Sequence, residues 1–544
     1  DVRPSPGPGR GAVSRQSSRD KRRKRSLPGT TVRKEGRAIS DVPTVLIVGA
    51  GPTGLMLACE LAAAGVSCRI VERRAEESNL TRAFGVHART LEMLDMRGLA
   101  DELVDRGLQV SQVRPRPSRR TTLRLLLDHP ESRFRYVLVV AQAQTEKLLE
   151  QRATELGVPI SRGAELVGLH QDEAGVELVL STADGTVTER ARYAVGCDGA
   201  HSAVRRLLGV GFTGSAYDTN ILLAAVRLGA SLEAAVNVFV SKDGLVLLPT
   251  FGDGWYRAVI WDRHQEEVPL DTPLHLEEII EPLRRITGHD FGVREMRWST
   301  RFRNERRQAD RYRVGRVLLV GDAAHVHSPL GALGMNTGIQ DAMNLGWKLA
   351  AEVAGWAPDW LLDSYHTERH PVGRANLRLT DVLQRLAVAP APVRAVRPLI
   401  ARAVFGLPPL RRRLRRTLSG LSVGYPPPRR ARAHRWTGQR APDVDLADGR
   451  LYQLLRPGRF LLIDRTREGA AARATREGWA DRVDTVHDPA ASLTGWPTLV
   501  LIRPDGYVAS ATDSQEAVPR ASESALRRWC GPNAPSVTGL TGEG

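Results

Sequence analysis

The segment Gly49-Ala50-Gly51-Pro52-Thr53-Gly54 constrains this chain more than any other. A short apolar run, residues 44–48, precedes it. A run with apolar residues at 57, 58 and 61 follows, closed by Gly65, and a second apolar run spans 66–71. Strand, glycine turn, helix and strand make one βαβ unit, the context in which a G-x-G-x-x-G pattern binds a dinucleotide. Gly49 permits the tight turn, Gly51 lets backbone N–H groups approach a pyrophosphate, and Gly54 allows helix and strand to pack closely. The helix N-terminus offers unpaired donors and partial positive charge to the phosphates. Glu72, 23 positions after Gly49, ends the second strand and is placed to accept ribose hydroxyls. A second match, Gly209-Val210-Gly211-Phe212-Thr213-Gly214, follows an expected helix over 202–208 and not a strand, so one such site is expected.

Two further segments put an aspartate at the end of a buried strand. Residues 317–320 lead into Gly321-Asp322-Ala323-Ala324-His325, and residues 193–196 lead into Cys197-Asp198-Gly199-Ala200-His201-Ser202. Open α/β sheets bind ligands at that end of their strands, but each aspartate also fits a turn or a helix cap. Spacing alone leaves both readings open. Downstream of Asp322, Ser328-Pro329 and the glycine-rich 331–338 open a long helix over 336–354. His325 and His327 have no third ligand nearby, so no metal is expected.

At 544 residues the chain has room for about three domains. Its net charge of +17 resides in two segments: residues 1–40 carry +9, residues 390–440 carry +13, and the remainder is mildly acidic. That placement describes a solvated leader and an Arg-faced linker, and no nucleic-acid partner is expected. No apolar run reaches 18 residues, so no membrane span is expected. The four cysteines lack any CxxC pairing, as in a reducing cytoplasm.

Together with Thr81–Glu92, Gln142 and the segment 334–341, these motifs resemble the single-component FAD-dependent aromatic hydroxylases, the group A flavoprotein monooxygenases, in their polyketide and phenol hydroxylase branch. The resemblance covers about residues 43–385. Residues 441–443, 460–462 and 500–507 are similar to the thioredoxin-like C-terminal domain of that branch, here without its cysteine pair. The implied fold is α/β, with a Rossmann-like FAD-binding domain (42–215 and 296–385) and an antiparallel-sheet substrate domain (216–295). An Arg-rich helical linker (386–438) and a thioredoxin-like domain (439–544) follow, and a disordered basic leader (1–41) precedes them.

The resemblance implies FAD as cofactor and NADPH as transient co-substrate, with a small aromatic substrate and dioxygen as the other partners. It leaves a homodimer open and implies a cytoplasmic enzyme. Gly49, Gly51, Thr53 and Gly54 would meet the pyrophosphate. Glu72 would hold the adenosine ribose, with Arg73 beside the adenine. Arg82 and Gln142 would contact the pyrophosphate and ribityl chain, and Asp322 would bind in the same region. Pro329 would pack near the flavin ring, the backbone at Met335 and Asn336 would meet its pyrimidine edge, and Asp198 is linked to both FAD and NADPH.

The implied chemistry is hydroxylation through a flavin C4a-hydroperoxide. No catalytic side chain is singled out; Tyr217, Tyr256 and His325 are conceivable and unassigned. Ser328 and residues 330–333 depart from the family pattern, where a proline and a richer glycine run are common. Baeyer–Villiger oxygen insertion is an alternative on the same cofactor. A non-catalytic, basic-armed binding protein on this fold is the alternative of another class.

Overall fold

The computed structural model describes residues 43–76, 83–116, 122–387, 389, 391–427, 433–489 and 495–533. The expected leader, 1–41, and Arg82 lie outside them.

Short strands that are apolar on both faces build a sheet buried between helices. Val45–Val48 is one, with all four side chains buried. It pairs in parallel with Cys68–Glu72 on one side and with Tyr193–Gly196 on the other. Val317–Leu319 and Ile160–Arg162 extend the parallel array outward, and Arg313–Val314 adds an antiparallel edge. The strand nearest the N-terminus thus lies in the middle of the sheet, so the connections diverge on either side of it and leave a crevice at the carboxyl ends.

Helix Pro52–Ala63 starts with proline in its first turn, which suits a position whose N–H is free anyway. It crosses the long helix Gly334–Val353 where Gly346 removes the β-carbon that would collide with Glu60. The expected start at 336 thus lies two residues inside the helix.

The second sheet is antiparallel in its main part and has eight strands, in the order His325–Val326, Glu295–Ala309, Phe212–Arg227, Trp255–Asp262, Gly244–Pro249, Val236–Val240, Gln112–Arg116 and Leu125–Leu126. It recruits chain from both sides of the expected division at 216–295. Glu295–Ala309 pairs along nearly all of Phe212–Arg227, and Gln112–Arg116 pairs in parallel with Val236–Val240. One face is capped by helix Glu277–Thr287, whose Ile279, Leu283 and Ile286 pack on Leu222, Ala224 and Ile260. The other face carries Leu223, Val259, Trp261 and Phe302 and packs with Phe84, Leu330 and Ala332 of the first domain. The second glycine pattern runs from helix Ala203–Leu207 into strand Phe212–Arg227, so it opens no helix.

Helices Ala391–Gly406 and Pro408–Leu418 fall in the Arg-rich linker. Beyond them lies a four-stranded sheet, ordered Val483–His487, Phe460–Asp464, Leu499–Ile502, Val508–Thr512, with helices Ala470–Gly478 and Val518–Cys530. This unit docks through buried charge. Arg503 makes two bonds to Glu368 (2.7 and 2.9 Å) and two to Asp505 (3.0 and 2.5 Å), while Lys348 Nζ donates to Glu368 at 2.7 Å. Arg89 Nη2 reaches the Asp505 carbonyl at 2.8 Å. All four cysteines are free and buried, and burial pushes the thiols of Cys59 and Cys68 up to about 12, far from the reactive thiolate range. Among the described residues no helix is long and apolar enough to cross a membrane.

Candidate active site

Four neighbouring parallel strands deliver the motifs to one edge. Gly49 follows Val45–Val48, Glu72 ends Cys68–Glu72, Asp198 follows Tyr193–Gly196, and Gly321-Asp322 follows Val317–Leu319. Backbone bonds lock the strand ends together: Gly49 N to Val71 O, Cys197 N to Val48 O (both 2.8 Å) and Val320 N to Gly196 O (2.9 Å).

The three glycines of the turn have different surroundings. Gly49 has φ +108°, and a β-carbon on it would lie 2.5 Å from the Cys197 carbonyl oxygen. A β-carbon on Gly54 would overlap the Gly49 carbonyl oxygen. One on Gly51 would meet nothing within 4 Å. Two glycines therefore serve packing, while the third leaves bare backbone facing open space beside the helix N-terminus. There the N–H groups of Thr53 and Gly54 have no partner within their own helix. This is the cradle a pyrophosphate requires.

Thr53 joins this turn to the Asp322 loop. Its Oγ1 lies 2.8 Å from where a Gly321 β-carbon would be, and it overlaps the position of one on Gly338. Arg205 joins the Asp198 loop to the same place, donating to the carbonyls of Ala323 (2.9 Å) and Ala200 (2.8 Å).

Glu72 is buried, and its Oε2 accepts from Ala50 N at 2.8 Å. Its Oε1 accepts from Arg74 N and Nε at 3.0 and 2.9 Å. Burial pushes this carboxyl up, but the bonds from Arg74 and Ala50 outweigh it and hold it below the usual range. An ionised carboxylate has about four lone-pair sites, so capacity for a ribose hydroxyl remains. Arg73 is exposed; Arg74 is the basic partner of Glu72.

Asp198 Oδ2 accepts from Val204 N at 3.1 Å, and Ser202 Oγ accepts from Arg205 N at 3.0 Å, so the helix cap is made. Asp198 Oδ1 remains buried without a hydrogen-bond partner among the described residues. Burial pushes its carboxyl up despite the bond from Val204. Gln142 accepts from Ala83 N at 2.9 Å and donates to Glu146 at 2.8 Å, tying the segment after Arg82 to its helix.

Asp322 is exposed, and its Oδ1 lies 3.8 Å from where a Gly334 β-carbon would be. Helix Gly334–Val353 has no side-chain cap, so the N–H groups of Gly334, Met335 and Asn336 lack intrahelical acceptors. The Asn336 side chain is occupied, donating to Gly85 O and Ala332 O (2.8 and 2.7 Å) and accepting from His87 N at 2.8 Å. Pro329 and Met335 are half-buried. In the loop between them Ala332 has φ +54°, in the left-handed region that favours glycine.

The side chain that secures this loop was not among those expected to serve the site. Asp341 Oδ2 accepts from His325 Nε2 at 2.7 Å and from Gly321 N at 3.3 Å, and its Oδ1 accepts from Arg369 Nε at 2.5 Å. Burial pushes the Asp341 carboxyl up, and the charges of Arg369 and His325 reverse that and hold it below the usual range. His325 is thereby a structural partner. Tyr217 donates to Asp381 at 2.8 Å, and Tyr256 accepts from Leu232 N at 3.2 Å on the far side of its sheet. Each of the three is thus engaged in a structural contact, and an acid seven residues into a helix gives no signal in the sequence that it faces Gly321.

The residues fit an extended dinucleotide: an open glycine cradle, an acid at the second strand end, an orphaned carboxylate oxygen and a second helix N-terminus. The comparisons agree. Residues 43–380 match the FAD binding domain family and residues 434–533 the aromatic-ring hydroxylase C-terminal family. The chain belongs to the FAD-dependent aromatic-ring hydroxylases and is an FAD-dependent monooxygenase. It is 43% identical to rifampicin monooxygenase of Streptomyces venezuelae, over 87% of this chain and 96% of that one. It is 38% identical to a 12-dehydrotetracycline 5-monooxygenase/anhydrotetracycline 6-monooxygenase of Streptomyces rimosus, over 90% and 99%. The solved structure of the anhydrotetracycline hydroxylase OxyS from Streptomyces rimosus superposes with TM-score 0.79 at 36% identity, over 90% of this chain and all of that one.

Proposed function

We propose that the enzyme hydroxylates an aromatic, polyketide-like substrate at the expense of NADPH and dioxygen, holding it between the flavin loop and the inner face of the eight-stranded sheet. The observation that carries this reading is the shared apolar cluster, in which Leu330 and Ala332 beside the expected flavin position pack with Leu223, Val259, Trp261 and Phe302. A flat polycycle matches such a wall in polarity. The two curated relatives described above are named for large aromatic polyketides, which fits.

Bound FAD supplies the redox chemistry: it takes up two electrons and activates dioxygen. The chain's own residues do the rest. Thr53 and Gly54 N–H groups orient the diphosphate. Glu72 and Asp322 accept ligand hydroxyls, and Asp198 Oδ1 is a further acceptor at the crevice. The N–H groups at Gly334–Asn336 would favour negative charge on a bound flavin, an interaction of about 0.3–1 kcal/mol at an exposed helix end and more where water is excluded. The apolar sheet face keeps water from the reacting atoms. Use of NADPH and four unpaired thiols support a cytoplasmic location.

The test is NADPH consumption by the FAD-loaded protein with and without anhydrotetracycline or rifampicin, with product and peroxide measured together. Substrate-stimulated oxidation that yields a hydroxylated product supports the reading. Stimulation that yields peroxide alone contradicts it.

A further inference from the structure

On the inner face of the eight-stranded sheet one residue breaks the apolar pattern. Strand Trp255–Asp262 alternates Tyr256, Ala258 and Ile260 toward the covering helix with Arg257, Val259 and Trp261 toward the first domain. The pairing confirms the side: Ala225, Leu223 and Ile221 of one neighbouring strand stand opposite Arg257, Val259 and Trp261. Arg257 is 2% exposed. Its Nε and Nη1 are buried without a hydrogen-bond partner among the described residues. What surrounds it is aromatic, with its guanidinium 4.2 Å from the Trp298 ring centre and 5.6 Å from that of Phe251.

This is unusual among the described residues. The other fully buried arginines are paired with carboxylates: Arg89 with Glu92, Arg369 with Asp341, and Arg503 with Glu368 and Asp505. A buried charge is ordinarily paired, because its removal from water is otherwise uncompensated. The aromatic faces hold the guanidinium in place without neutralising it. Burial alone lowers its pKa to about 10, so it remains a cation at neutral pH. A cation kept dry and unpaired on this sheet face lacks an anionic partner, and a ligand bound against the face can supply one.

We infer that Arg257 is the substrate-recognition residue for an acidic oxygen, the phenolate or vinylogous enolate of a hydroxylated polycyclic aromatic, held by charge-assisted hydrogen bonds from its guanidinium. The inference rests on the reading of this face as the substrate wall and narrows the substrate to polycycles with an ionisable hydroxyl. A nearby cation stabilises the ionised form of that hydroxyl. A neutral ether of the same shape leaves the guanidinium unpaired, and sites built for a polar group reject ligands that lack it.

The test compares 2-hydroxyanthraquinone with 2-methoxyanthraquinone on wild type, Arg257→Met and Arg257→Lys. Binding is followed by tryptophan fluorescence, with and without FAD, so it is read even if the cofactor assignment fails. Wild type is expected to prefer the hydroxy compound. Arg257→Met is expected to weaken binding of that compound about 30-fold or more and of the ether less than threefold, while Arg257→Lys retains part of the preference. Arg257→Met is also expected to melt no lower than wild type, since it removes an unpaired buried charge. Equal affinity of wild type for both compounds, binding of neither, or equal losses for both in a variant that melts several degrees lower overturns the inference. Loss of FAD binding in wild type with the preference intact counts against the oxidative reading alone.

Discussion

The side chain of Thr53 occupies the space that a β-carbon on Gly338 would need. One residue of the glycine turn is thereby wedged against the second turn of the long helix, with Gly321 on its other flank. Three segments far apart in sequence are held in register by this contact.

Gly338→Ala is therefore expected to push Thr53 out of place and weaken FAD retention by about tenfold, the order of a 1–3 kcal/mol overpacking penalty. The clash is mainly with Oγ1, so Thr53→Ala in the same chain restores retention. A double-mutant cycle read by FAD titration checks this; additive losses would show that the two residues are not coupled.

The turn glycines separate folding from binding. Gly51→Ala adds a methyl into open space, so the apo protein keeps its melting temperature while the methyl stands where a phosphate must approach. Gly54→Ala drives a β-carbon into the Gly49 carbonyl and is expected to lower the melting temperature or prevent soluble expression. Melting curves of both apo variants, set beside their flavin content, distinguish the two roles.

The turn, the strand-end aspartates and the long helix were legible because each is a local pattern: glycine spacing, a short apolar run, a change of period. The pairing of Gln112–Arg116 with Val236–Val240 was not, because no local pattern records which edge a strand will find. Arg73 is the residue expected beside the adenine, and Arg74 as the partner of Glu72 is not legible, since two adjacent arginines are indistinguishable until the strand ends and fixes their direction. Asp341 and Arg257 give no local signal for a related reason: a buried charge is identified by what faces it across the fold.

Ala332 holds a left-handed conformation at φ +54°, which costs an alanine roughly 1–2 kcal/mol. Ala332→Gly relieves that cost, so it is expected to be neutral or stabilising. Ala342→Gly, within helix Gly334–Val353 and fully buried, is expected to lose about 1 kcal/mol. Urea midpoints of the two variants test the difference; equal destabilisation would show the loop to be unstrained.

The docking charges predict an acid limb. Burial pushes the Glu368 carboxyl up, but Arg503 and Lys348 outweigh it and bring it from 4.5 to about 2. A carboxyl lowered on folding contributes stability that is complete above its unfolded pKa and is lost as pH falls through the folded one. The melting temperature is thus expected to drop between about pH 4.5 and pH 2. Glu368→Gln removes this titration and leaves Arg503 and Lys348 short of a counter-charge. Its curve is expected to lie lower at pH 7, by about 3 kcal/mol in stability, and to be flatter in acid. A variant that follows wild type across that window would contradict the assignment.

The most direct measurement of the central claim is a titration of the apo protein with FAD, followed by absorbance and flavin fluorescence, on wild type and Asp322→Ala. The account predicts one FAD per wild-type chain, and clearly weaker binding by an Asp322→Ala protein whose circular dichroism and melting are unchanged, because that carboxylate is exposed at a strand end. A wild-type chain that takes up no FAD, or an Asp322→Ala chain that binds it as tightly as wild type, would contradict it.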